Sequence, residues 1–110
     1  MKLKTLPVLA ALCISAAALA DEPVGFDEGS KLVGKYQCQA CHSTDKTMDG
    51  PSFHDIAKRY GSDPNAQAEV SEHILNGSSG AWGPRPMPST AIPDAELKML
   101  VEWILSLNHD

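Results

Sequence analysis

The chain has 110 residues, three cysteines and a formal charge of −5, so it holds one domain at most. Its negative balance speaks against nucleic acid as a partner, because phosphates repel an acidic surface. A domain this small buries only a modest core, and a large apolar prosthetic group would remedy that by becoming the core.

The first twenty residues read as a segment apart. Lys2 and Lys4 form a basic start, Leu6 to Leu19 are apolar, and Ala18-Leu19-Ala20 fits a small-x-small cleavage pattern. That is the layout of a secretory signal peptide. The apolar run is shorter than the ~20 residues that cross a bilayer, so a permanent membrane anchor is not expected. Lipid attachment at Cys13 would want a small residue before it, and Leu12 stands there. Cleavage after Ala20 would leave a periplasmic domain over residues 21–110, with a charge of −7 once Lys2 and Lys4 are gone.

Four short helices are expected in that domain, with no strand, which makes it all-α. The first starts near Asp27 as N-cap and runs through Leu32 and Val33 towards Tyr36. The second spans Phe53 to Tyr60, where Phe53, Ile56, Ala57 and Tyr60 follow the i, i+3, i+4, i+7 rule, and Gly61 stops it. Asp63-Pro64 reads as an N-cap followed by proline at the first helical position. The third helix carries Val70, Ile74 and Leu75 and ends at Asn76-Gly77, a left-handed stop. The fourth has Pro93, Asp94 and Glu96 in its first turn, where negative charge suits the helix dipole. Leu97, Leu100, Val101, Ile104 and Leu105 form its apolar stripe. Between the third and fourth helices, the Gly- and Pro-rich segment from Gly77 to Ile92 suits neither helix nor ladder, although its prolines restrict the backbone.

The strongest motif is Cys38-Gln39-Ala40-Cys41-His42. The C-x-x-C-H pattern is the attachment site of c-type haem. Two thiols three residues apart match the two haem vinyl groups, and the adjacent imidazole falls under the iron as proximal ligand. Other readings compete. A thioredoxin-like dithiol would want a preceding strand. A zinc site would need a second pair of ligands. A plain disulfide would leave His42 without a role.

A second axial ligand must come from Met48, Met87 or Met99. Met48 follows His42 too closely to reach the opposite face with ease. Met99 lies beside the stripe of the fourth helix, where methionine is usually core filler. Met87 stands between Pro86 and Pro88 in a stiff loop and is the expected ligand. Its soft thioether favours ferrous iron and raises the reduction potential.

Together these features resemble the short class I cytochromes c of bacteria, especially the soluble donors to nitrite reductase in denitrifiers. The landmarks are Cys38 to His42, Met48-Asp49-Gly50-Pro51, Asn76-Gly77-Ser78, Trp82-Gly83-Pro84 with Pro86-Met87-Pro88, and Glu102-Trp103-Ile104-Leu105-Ser106. The resemblance implies a compact fold of four helices around one covalent haem c. It implies that the Pro51 carbonyl accepts a hydrogen bond from His42, which fixes the ring and its basicity. It implies that Trp82 donates to a haem propionate, that His73 lies close to a propionate, and that helices one and four cross at Gly34. Thr90 replaces a common Asn, and Arg85 a common apolar residue. His54 and the C-terminal His109 are expected in solvent. Lys31, Lys35, Lys46 and Lys58 could ring the haem edge and guide docking, though surface lysines usually only solvate.

The function expected is one-electron transfer, with no catalysed reaction. Partners would be redox proteins: a donor such as a cytochrome bc complex, and an acceptor such as nitrite reductase, an oxidase or a peroxidase. A monomer suffices for brief encounters through small interfaces. A haem-based ligand sensor would need an open iron and a distal acid or base, and no such pattern is evident. A detachable electron-entry subunit of a larger enzyme is the third reading.

Overall fold

A computed structural model describes Thr5 and residues 26–108. Apart from Thr5, the expected signal segment lies outside the described residues, as do its cleavage site and His109. Four α-helices follow one another: α1 (Phe26–Lys35), α2 (Phe53–Tyr60), α3 (Ala66–Asn76) and α4 (Asp94–Ser106). A short 3₁₀ turn, Cys38–Ala40, follows α1. Among the described residues there is no strand, only a single antiparallel bridge between Ser78 and Met87.

The periodicity of α2 places its ends as expected, and Ser52 caps it by accepting from the Asp55 N–H at 3.0 Å. Gly61 stops α2 as expected, in a right-handed conformation, donating its N–H to Ala57 O. Both ends of α3 differ from expectation. Asp63 does not cap α3. Its carboxylate accepts from the Asn65 N–H at 2.8 Å, so Asp63-Pro64-Asn65 form a turn and the helix begins at Ala66. This is the local Asx bond that competes with helix formation. Gly77 has φ +80° but ψ 171°, so the chain leaves α3 extended rather than through the left-handed helical region.

Helix α4 is the hub, in contact with α1, α2 and α3. Leu100 and Val101 are wholly buried on it, beside Leu97, Trp103 and Ile104. Phe53, Ala57, Tyr60, Val70 and Ile74 complete the core from α2 and α3. The α1–α4 crossing lies at Gly29, not Gly34. A Cβ on Gly34 would meet nothing within 4 Å, whereas one on Gly29 would fall inside the Trp103 ring. Periodicity does not reveal which glycine an aromatic ring will cover.

Lys35 and Tyr36 bind both oxygens of Glu96 at 2.8 Å, a second tie between the end of α1 and the start of α4. These bonds hold the Glu96 carboxyl below its ordinary range. The same bonds push the Lys35 ammonium and the Tyr36 hydroxyl above theirs.

Candidate functional site

The cysteine pair begins where α1 ends. Gln37 adopts φ +59°, which turns the chain into the 3₁₀ segment. Cys38 O then accepts from both Cys41 N (3.2 Å) and His42 N (3.0 Å), so one turn carries both thiols and the imidazole. No disulfide joins Cys38 to Cys41, so the disulfide reading finds no support. Burial pushes the Cys38 thiol above its usual range. Among the described residues no cluster of His, Cys, Asp and Glu could hold a metal ion by itself, which leaves the zinc reading unsupported there.

The loop after His42 folds back under its ring. Gly50 N donates to Cys41 O at 2.8 Å, and Phe53 N to Ser43 O at 2.9 Å. His42 Nδ1 lies 2.7 Å from the Pro51 carbonyl. A carbonyl can only accept, so Nδ1 carries the proton and Nε2 keeps its lone pair. Phe53 stacks on the imidazole with centroids 5.3 Å apart, and Trp103 meets Phe53 edge-on at 5.5 Å. Any Cβ on Gly50 would approach His42 Cε1 to 2.6 Å. Gly50, Pro51 and Phe53 thus fix the ring, and Trp103 backs Phe53. The roles of Gly50 and Phe53 escaped the sequence reading. Gly50 beside Pro51 was the available signal.

Met87 is placed by paired backbone bonds. Ser78 N donates to Met87 O at 3.0 Å, and Met87 N to Ser78 O at 2.7 Å. Gly77 permits this approach, since a Cβ there would meet Met87 O at 2.8 Å. Thr90 N donates to Ile74 O at 2.8 Å and ties the loop's end to α3. Arg59 grips the loop's beginning. Its guanidinium donates to Ala81 O at 2.7 Å and lies 4.5 Å from the Trp82 ring centre, a cation–π contact.

These elements enclose a cavity of about 400 Å³. Cys38, Cys41, His42, Pro51, His73, Trp82 and Met87, all the expected site residues, line it. Ile56, Tyr60, Val70, Ile74, Leu100 and Ile104 supply an apolar floor. Met48 and Met99 do not line it: Met48 is 51% exposed, and Met99 packs against the core. The lysines that could have ringed the haem edge do not gather at the cavity, in keeping with plain solvation. None of Lys31, Lys35, Lys46 and Lys58 lines it, and Lys35 is engaged by Glu96. His54 is half-buried rather than solvated. Tyr60 lies 6.3 Å from the His73 ring.

An apolar cavity with two thiols, an imidazole of defined tautomer and a thioether fits a covalently linked haem, a thiol for each vinyl group and two donors for iron. Fold and cavity together define a class I cytochrome c. The cytochrome c family model matches residues 26–108, and the chain belongs to that family. It is 39% identical over 107 residues to cytochrome c-551 of Stutzerimonas stutzeri, covering 97% of this chain and 99% of the relative. Cytochrome c-551 of Pseudomonas denitrificans is 46% identical over 79 residues, 72% of this chain and 96% of that protein. The crystal structure of wild-type Nitrosomonas europaea cytochrome c552 superposes with a TM-score of 0.69 at 39% identity, covering 72% of this chain and 99% of that one. Membership implies covalently bound haem c and electron transport rather than catalysis.

Proposed function

We propose that this chain is a periplasmic electron carrier with a single haem c, linked to Cys38 and Cys41 and ligated axially by His42 and Met87. The observation that carries the reading is the convergence of all four side chains on one cavity. When bound, the haem supplies a one-electron ferric/ferrous couple. The chain's own residues make that couple reversible and specific. Pro51 holds the proton on His42 Nδ1, so Nε2 stays available to iron and the ring cannot rotate. The Ser78–Met87 bridge and the flanking prolines keep Met87 in one position through both oxidation states, which keeps reorganisation small. With both His42 and Met87 holding it, the iron would offer no site to a substrate, which supports a carrier over a ligand sensor.

Trp82 and His73 act as polar contacts for the haem propionates. Arg59, by stacking on Trp82, orients the indole. Residues 1–20 act as a signal peptide removed after Ala20, which leaves the mature domain 21–110 outside the cytoplasm, where c-type haem is attached. The carrier works as a monomer, taking electrons from a donor such as a cytochrome bc complex. It passes them to an acceptor such as nitrite reductase, an oxidase or a peroxidase.

Optical spectroscopy tests the ligation. Ferric wild type should show the weak red charge-transfer band of methionine-bound haem. Met87→Ala should lose it, lower the potential and admit small ligands, while Met48→Leu and Met99→Leu keep it. Loss in Met99→Leu with retention in Met87→Ala would identify the wrong methionine.

A further inference from the structure

Two loops bring the axial residues to the cavity, one from His42 to Pro51 and one from Ser78 to Thr90. Among the described residues, no backbone hydrogen bond joins them: their bonds are internal or run to a neighbouring helix. One ion pair does join them. Arg85 Nη1 lies 2.6 Å from Asp49 Oδ1. Both residues line the cavity, and their side chains are 65% and 51% exposed, so the pair stands on the rim where the cavity meets solvent. Among the described residues they are the only Asp, Glu, Lys or Arg in the cavity's lining.

Their positions give the pair leverage. Asp49 precedes Gly50 and Pro51, two of the residues that hold the His42 ring. Arg85 stands two residues before Met87, between Pro84 and Pro86. Each proline fixes its own φ, so a restraint at residue 85 is transmitted to residue 87. Arg59 already anchors the other arm of this loop at Ala81.

We propose that Asp49 and Arg85 form an electrostatic clasp. It holds the Met87 loop to the His42 loop and slows the departure of Met87 from the iron. The inference rests on the His42–Met87 ligation proposed above. Both are positioning residues. An exposed pair is weak, so the effect on loop opening should be about two- to fivefold. Screening by salt should erase it.

The test follows imidazole binding to the ferric holoprotein by stopped-flow absorbance, because an incoming ligand must wait for Met87 to leave. At mildly alkaline pH imidazole is mostly neutral, so altered rim charges do not steer it. Wild type, Asp49→Asn, Arg85→Gln and the charge swap Asp49→Arg/Arg85→Asp are compared at low and high salt. Each single variant should react about two- to fivefold faster than wild type at low salt. Wild type should reach their rate as salt rises, and the swap should return towards wild type. Single variants that match wild type at low salt, or a swap as fast as the two losses combined, would overturn the clasp. If ferric wild type lacks the red band, or Met87→Ala takes up imidazole no faster than wild type, the ligation falls and the clasp with it. A normal band with unmoved rates removes the clasp alone.

Discussion

Alanine at Gly29 and at Gly34 should have opposite effects, although both lie in α1. At Gly34 the added methyl meets nothing within 4 Å. The change therefore acts mainly by restricting the unfolded chain, and should stabilise by about 0.4–1 kcal/mol. At Gly29 the methyl would fall inside the Trp103 ring. That ring is only 3% exposed and lies edge-on to Phe53, so it cannot swing into solvent. Either α1 lifts from α4 or the ring is displaced, and overpacking of this kind costs ~1–3 kcal/mol. Guanidinium denaturation of the ferric holoprotein measures both. Thermal midpoints should move by about 4–8 °C per kcal/mol for a domain of this size. Near-ultraviolet circular dichroism should report a disturbed Trp103 in Gly29→Ala alone. Equal destabilisation by the two alanines, or a larger loss at Gly34, would refute the crossing at Gly29.

The remaining predictions concern the ties between helices and the haem. Glu96→Gln should remove stability near neutral pH, with the deficit shrinking towards both extremes. The lowered Glu96 carboxyl contributes stability that is lost as pH falls through the carboxylate range. The raised Lys35 and Tyr36 contribute stability that is lost as pH rises beyond about 10. Denaturation midpoints of wild type and variant across pH check this, and a constant deficit would remove the cluster from the account. A Cys38→Ala, Cys41→Ala apoprotein should be largely unfolded, because Leu100 and Ile104 pack onto the cavity that haem would fill. Cooperative thermal unfolding of that apoprotein would contradict the role of haem as core.

The sequence by itself determined the family resemblance, the candidate site residues and the four helices. Cys38 to His42 is a local spacing, and one turn of backbone suffices to set it. The apolar positions of α2 and α4 repeat at the helical period, so their faces were legible before any contact was known. Proline on both sides made Met87 the proposed second ligand, because stiffness is also local, and the fold brings it to the cavity lining. Tertiary structure alone decided what depends on residues distant in sequence. Gly29 and Gly34 are alike in α1 until Trp103 of α4 descends on one of them. Asp63 looked like a helix cap, but its carboxylate reached the Asn65 N–H first. Lys35 looked like part of a docking ring until α4 brought Glu96 to it. Asp49 belonged to one landmark and Arg85 departed from another, but nothing local pairs them. They meet because packing of the helices brings two loops to one rim, and such long-range proximity is set by the burial of the whole core.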